Sequence, residues 1–345
     1  MQLTSAASIL AIPLDQPESL FSDKTNLRAR FLSLLKLWHP DVNKDEHAGM
    51  VAAHIQALYE SAQAKLDKGI WVTPFLLEVP GVDGRIRKIA YRVRDTFELG
   101  EIYIGNGIVT YAINRVHEPA VIRALKNIGT IRYPDESFKK SLEPFFPKVE
   151  HYFESKDHIF VCMRKHNDEI LLSDLIEHLG GKIDPKHVAW IMSCLFNLVC
   201  FLWINDMTLN GIDTKAIFVS PAKHAGSILG GWWYSTPKGK RMDSLPPSTY
   251  KLASRKLLAT KEATTQFDLE CIRAVGRAAL GDATGDSLRM CKEIPKPMTT
   301  FLMLPSTGNP VKEYEAWSKV LVDCFGPRKF VQLNVSIDDV YPKET

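Results

Sequence analysis

The spacing of apolar residues changes twice along these 345 residues, and each change limits what the segment can become. From residue 27 to 66 the spacing is helical. Leu27, Phe31, Leu34, Leu35 and Trp38 make one stripe; Val51, Ile55, Leu58, Tyr59, Ala62 and Leu66 make a second. From Asp95 the pattern is that of strands: Ile102, Ile104, Ile108, Val109 and Tyr111 around Gly105-Asn106-Gly107, then Val149–Phe153 and His158–Met163 around Ser155-Lys156-Asp157. Asn and Gly accept positive φ, so Gly105-Asn106-Gly107 predicts a tight hairpin. A helical stretch over Ala120–Ile128 interrupts the strands. After Arg164 the helical period returns over Leu171–Leu179, Pro185–Ile204, Thr265–Leu280 and Tyr314–Phe325, with strand-like pieces at Ala216–Ser220 and Ser227–Trp233. Leu245-Pro246-Pro247 and Asp282–Pro310 read as loops. Segregated helical and strand-rich runs predict an α+β, multidomain chain.

The two N-terminal stripes are separated by His39-Pro40-Asp41 and the polar Val42-Asn43-Lys44-Asp45. Pro40 disfavours continuation of the first helix, so the pair predicts an antiparallel helical hairpin with His39-Pro40-Asp41 at its tip. On the residues alone, His39 can cap the first helix and Asp41 can begin a turn. Ser8-Ile9-Leu10 fits a short helix ahead of the hairpin, and Lys68-Gly69 a helix stop. The segment Ser8 to Gly69 resembles a J-domain, the co-chaperone module that activates DnaK-type chaperones of the seventy-kilodalton heat-shock class. The resemblance implies that the tip docks on the chaperone's ATPase domain and speeds ATP hydrolysis. Asp41 would meet a chaperone arginine, and His39 and Pro40 would shape the loop. It also implies a docking face on the preceding helix. Here that face holds Arg28, Arg30, Leu32 and Lys36, sparse in positive charge, so weaker steering is expected, with Leu32 as an apolar contact.

Hydrophobic residues at 45% and charged ones at 24% describe an ordinary folded chain and exclude a disordered tail. A net charge of +3, with basic and acidic residues interleaved, gives no case for a nucleic-acid partner. The six cysteines form no Cys-x-x-Cys pair and the ten histidines no ligand spacing, so neither a metal nor a cofactor is expected. Free cysteines in apolar settings fit a cytoplasmic protein. Val188–Ile204 is nearly all apolar but carries Asn197 and lacks basic flanks, which points to a buried helix and not to a membrane. The start of the chain lacks the basic and apolar regions of a signal peptide.

Residues 1–69 are thus expected as the J-domain and 70–94 as a linker with a turn at Val79–Gly84. Residues 95–164 and 165–345 follow the strand-rich then helical order of a two-lobed protein kinase. Ile159-Phe160-Val161-Cys162-Met163 resembles that family's last N-lobe strand and hinge, and Asp184-Pro185-Lys186-His187-Val188-Ala189-Trp190 a C-lobe helix start. The stretch His224–Ser235 and Gly326-Pro327-Arg328-Lys329-Phe330 resemble bacterial proteins that join a J-domain to a kinase-like domain.

Phosphoryl transfer needs a lysine on the phosphates, metal-holding groups and an aspartate facing the acceptor hydroxyl. The glycine-rich loop is reduced to Leu99-Gly100-Glu101. By the resemblance, Asn114 in Tyr111-Ala112-Ile113-Asn114 replaces the lysine, and Ile128 its glutamate partner. Within Leu209–Ala216 the base becomes Gly211 and the metal-binding amide Ala216, and Gly231-Trp232-Trp233 puts Gly231 in place of the metal-binding aspartate. Loss of all these groups removes positioning and electrostatics together, which implies a pseudokinase and no enzyme. Asp268 matches the family's aspartate that braces the catalytic loop; Trp232, Trp233 and Tyr234 read as packing.

The expected function is a co-chaperone or adaptor: the J-domain recruits and stimulates a DnaK-type ATPase, and the pseudokinase scaffolds a client of unknown identity. Two alternatives belong to other classes. One is an atypical kinase or nucleotide sensor using Asp213 and Lys215; the other is a structural interaction protein whose J-domain has lost its chaperone.

Overall fold

A computed structural model describes residues 5–14, 16–21, 24–67 and 75–341. Lys68-Gly69 and residues 70–74 of the expected linker lie outside them. The chain is mixed, 46% helical and 18% strand, which agrees with an α+β protein. It divides into two compact units: Met1–Arg94 with Tyr103–Asn106 and Tyr341–Thr345, and Asp95–Ile102 with Gly107–Val340.

In the first unit α1 (Ala6–Leu10) precedes α2 (Leu27–Trp38) and α3 (Ala48–Asp67). Ser5 caps α1 by accepting the Ser8 N–H, and Pro40 stands just beyond the end of α2. The two stripes meet as one core, where Leu27, Phe31, Leu34 and Trp38 pack with Val51, Ile55, Leu58 and Ala62. Tyr59 stacks on Phe31 with ring centroids 4.0 Å apart. The buried Glu18 accepts Lys65 Nζ at 2.7 Å, tying the chain before α2 to the end of α3. Beyond the helices, β1 (Phe75–Pro80) and β2 (Ile86–Tyr91) form an antiparallel hairpin, Phe75 opposite Tyr91 and Pro80 opposite Ile86.

Next in the chain comes a five-stranded sheet ordered β3-β4-β5-β7-β6: β3 (Val93–Phe97), β4 (Gly100–Ile104), β5 (Ile108–Asn114), β6 (Lys148–Glu154) and β7 (His158–Arg164). The Gly105-Asn106-Gly107 turn joins β4 to β5, yet neither Asn106 nor Gly107 takes positive φ. The connection is there without the backbone conformation that predicted it. Strands β5 and β7 run antiparallel, Tyr111 opposite Val161. Helices α4 (Glu118–Gly129) and α5 (Glu136–Leu142) sit between β5 and β6 in the chain.

The rest is built on α7 (Pro185–Ile204), which starts at Pro185 under an Asp184 cap and follows β8 (Ile170–Leu171) and α6 (Leu172–His178). Among the described residues α7 is the one helix long and apolar enough to cross a bilayer, but most of it is buried and it packs on α10 (Thr265–Ala279) and α12 (Pro310–Phe325). Short strands β9 (Met207–Thr208), β10 (Ile217–Ser220), β11 (Ala225–Ile228) and β12 (Thr236–Pro237) lie between α7 and α8 (Pro247–Tyr250). The expected strand Ser227–Trp233 stops at Ile228. Gly231, at φ 75°, turns the chain into a 3-10 turn over Trp232–Tyr234. The expected loop Asp282–Pro310 contains α11 (Lys296–Met303), whose Met298, Phe301 and Leu302 are buried; α9 (Arg255–Thr260) and α13 (Ile337–Val340) are short. A buried ion pair locks this part. Arg273 of α10 meets Glu313 of α12 and donates to the carbonyls of Phe301 and Leu304.

Candidate functional sites

At the tip of the first unit, the chain leaves α2 with His39 at φ −64° and ψ 130°, an extended conformation that suits the residue before a proline. The His39 carbonyl accepts the N–H of Val42 at 2.9 Å and of Asn43 at 2.8 Å. Asn43 Nδ2 donates to Leu37 O at 3.0 Å, satisfying a carbonyl that the end of α2 leaves open. His39 Nδ1 accepts the Asp41 N–H at 3.2 Å. The turn is thus held by backbone groups and by the imidazole, and the Asp41 carboxylate takes no part beyond a 3.6 Å approach to His39 Nδ1. Its side chain is 85% exposed, that of His39 53%. Along α2, Arg28, Leu32 and Lys36 follow one another at four-residue steps and all are exposed, Leu32 at 55%; Arg30 is half-buried beside them.

In the second unit a cavity of about 30 Å³ lies among Asp95–Glu98, Tyr111, Gly211, Asp213, Lys215, Ala216, Gly230–Gly231 and Trp233. Gly211, Ala216 and Gly231 meet there. They are packed backbone to backbone: a Cβ on Gly231 would stand 2.4 Å from Gly211 O, and one on Gly230 would stand 2.7 Å from Ala216 Cα. Asn114 and Ile128 are not among the lining residues. Asn114 is exposed and accepts the Val116 N–H at 3.2 Å, capping the next turn. Side chains alternate along β5, so Tyr111 faces the cavity and Asn114, three residues on, faces away. Ile128 is half-buried. Its neighbours make the ties to the segment after Gly231: Asn127 Nδ2 donates to Ser235 O at 3.0 Å, and Arg123 Nη2 to Trp233 O at 2.9 Å.

Asp268, fully buried on α10, accepts the N–H of Leu209 at 2.9 Å and of Asn210 at 2.7 Å, so the loop entering Gly211 hangs from its carboxylate. Burial pushes that carboxyl up to about 7 against the two N–H bonds, which pull it down. Asn210 takes φ 60°, a conformation asparagine tolerates, and donates to Tyr234 O at 2.9 Å.

The charged groups Lys215 and Asp213 and the Glu98 carboxylate are engaged by their own chain. Lys215 Nζ donates to Asp95 Oδ2 at 3.0 Å and to Thr96 O at 3.3 Å. Asp213 accepts Ser248 Oγ at 2.6 Å and the Lys215 N–H at 2.9 Å, and burial raises its carboxyl. The Tyr234 hydroxyl donates to Glu98 at 2.8 Å. Trp232 and Trp233 are buried, and Tyr111 sits edge-on to Trp233, centroids 5.3 Å apart. Sequence reasoning passed over Tyr111, Phe97 and Glu98 as lining groups. The signal available was the two-residue period of β5, which puts Tyr111 and not Asn114 on the inner face. Among the described residues no cluster of three His, Cys, Asp or Glu side chains could hold a metal ion. The chain matches no protein-family model and no curated protein.

Proposed function

We propose that this chain is a cytoplasmic co-chaperone or chaperone adaptor, recruiting a DnaK-type ATPase through the J-domain-like tip and using a catalytically silent kinase-like unit as a scaffold for its client. The observation that carries the reading is the contrast in engagement: Asp41 stands in water on a loop that other groups shape, whereas Gly211 and Gly231 are packed with no room for a carboxylate. The brace from Asp268 to the loop before Gly211 supports the kinase-like half, since the resemblance assigns an aspartate at this position that braces the catalytic loop. An exposed Leu32 between Arg28 and Lys36 supports a docking face that relies on apolar contact more than on steering.

Chaperone ATP turnover measured with the full chain and with Asp41→Asn tests it. Stimulation by the former and its loss in the latter, with both proteins equally stable, is the expected outcome. No stimulation by either, or equal stimulation by both, removes the co-chaperone reading.

A further inference from the structure

One polar group in the cavity has no partner. The Tyr111 hydroxyl is buried, lines the cavity and makes no hydrogen bond. A buried hydroxyl left unpaired is costly, and native structures usually retain one where something absent completes it. The surroundings define that something. Phe97 and Trp233 flank the Tyr111 ring edge-on at 5.6 and 5.3 Å, so three aromatic rings bound the space. Asp95, Glu98 and Asp213 line it against one cation, Lys215, which is already bonded to Asp95. A phosphate would meet an excess of negative charge and no free lysine there. At about 30 Å³ the space holds a head group, not a nucleoside.

We propose that this cavity is a binding site for a primary ammonium head, carried by a small alkylamine or by a lysine side chain of a partner. An ammonium is a donor with no acceptor, which matches a site that offers carboxylates and an unpaired tyrosine oxygen. Its N–H groups bond Asp213, Glu98 and Tyr111 Oη, and the aromatic walls add cation–π attraction. Such a site goes beyond the chaperone reading and does not depend on it.

The test uses the full chain, following tryptophan fluorescence and the thermal midpoint during titration with n-butylammonium chloride, with 1-butanol and sodium chloride as controls. A saturable response to butylammonium alone is expected. Tyr111→Phe removes only the unpaired hydroxyl, so its own midpoint should hold or rise while amine affinity falls about fivefold, the worth of one hydrogen bond. Glu98→Gln, at an exposed position, should weaken binding likewise. Acetyl-Gly-Lys-Gly-amide against its norleucine counterpart separates the sources: tighter binding of the lysine peptide than of butylammonium assigns a partner's side chain, and the reverse a free amine. The proposal is overturned by an equal response to 1-butanol, by no saturable response, or by Tyr111→Phe binding like the parent, which would leave the cavity to water. Saturable stabilisation by magnesium ATP in place of the amine would overturn it as well.

Discussion

The tip after α2 carries one aspartate and the loop after β9 hangs from another, and the two carboxylates are used in opposite ways. Asp41 is left to solvent, and its loop is shaped by the His39 carbonyl and ring and by Asn43. Asp268 is sealed from solvent and spends both oxygens on the N–H groups of Leu209 and Asn210. A carboxylate available to another protein has to be cheap for its own fold. One that holds a buried loop is costly to alter and offers a partner nothing. On that criterion the Asp41 carboxylate is free of its own fold, and the Asp268 carboxylate is committed to holding the loop before Gly211.

Mutating both aspartates to alanine breaks or sharpens this contrast most. Asp268→Ala leaves two buried N–H groups without acceptors, each worth about 1–3 kcal/mol, so the second unit should lose about 3–5 kcal/mol in urea unfolding followed by tryptophan fluorescence. Asp41→Ala should stay within about 0.5 kcal/mol of the parent. Comparable losses at the two positions would show that the tip, too, depends on its aspartate for folding.

Much of this was readable in the sequence, and the parts that were not have particular causes. Helix α2 ends where Pro40 requires and α7 begins where Asp184 and Pro185 place a cap, because prolines and capping residues act locally. The helix α11 went unread because its apolar residues Met298, Phe301 and Leu302 make little more than one turn amid Pro295, Pro297 and Pro305; burial, not period, sustains it. The strand ending at Trp233 was overdrawn because the left-handed Gly231 cannot be told in sequence from a glycine that continues a strand. Of the residues singled out by the kinase resemblance, Gly211, Ala216 and Gly231 line the cavity, whereas Asn114 lies on the opposite face of β5 from Tyr111. The self-occupation of Lys215 and Glu98 joins residues 119 to 136 positions apart, which no local pattern encodes.

Placing an acid in the closed loop is the next sharpest test. Gly231→Asp combines positive φ with a Cβ 2.4 Å from Gly211 O, and is expected to cost about 2–4 kcal/mol. Under the proposed kinase-like reading it should yield no stabilisation by magnesium ATP in a thermal-shift titration, because Asn114 and Ala216 still supply neither a lysine nor a metal-binding group. A variant that keeps its midpoint and gains a nucleotide response would mean that this loop can reopen, and the contrast with the tip would then be one of degree.

The smallest expected effect is local and concerns a third use of a side chain, as a stacking surface. His224 lies between Trp190, parallel at 4.7 Å, and Phe330, at 4.2 Å and 19°, so the segment after α12 rests on its ring. Burial holds the His224 imidazole below the usual histidine range; interaction with His187 and Arg328 works in the same direction, and a hydrogen bond with the Val331 backbone opposes it. Burial likewise holds His187 below the usual histidine range, and Trp190 Nε1 donates to its Nδ1. A depressed histidine contributes stability that is present above its unfolded value and lost as pH falls, since the released chain takes the proton first. Amide exchange over residues 326–340 should therefore be slow at pH 7.5 and faster at pH 5, once intrinsic rates are corrected. His224→Phe keeps a ring in the stack and removes the proton site, so its exchange should lose most of this pH dependence. Unchanged pH dependence in His224→Phe would assign the effect to His187, whose imidazole lies 6.1 Å away and edge-on to the same ring.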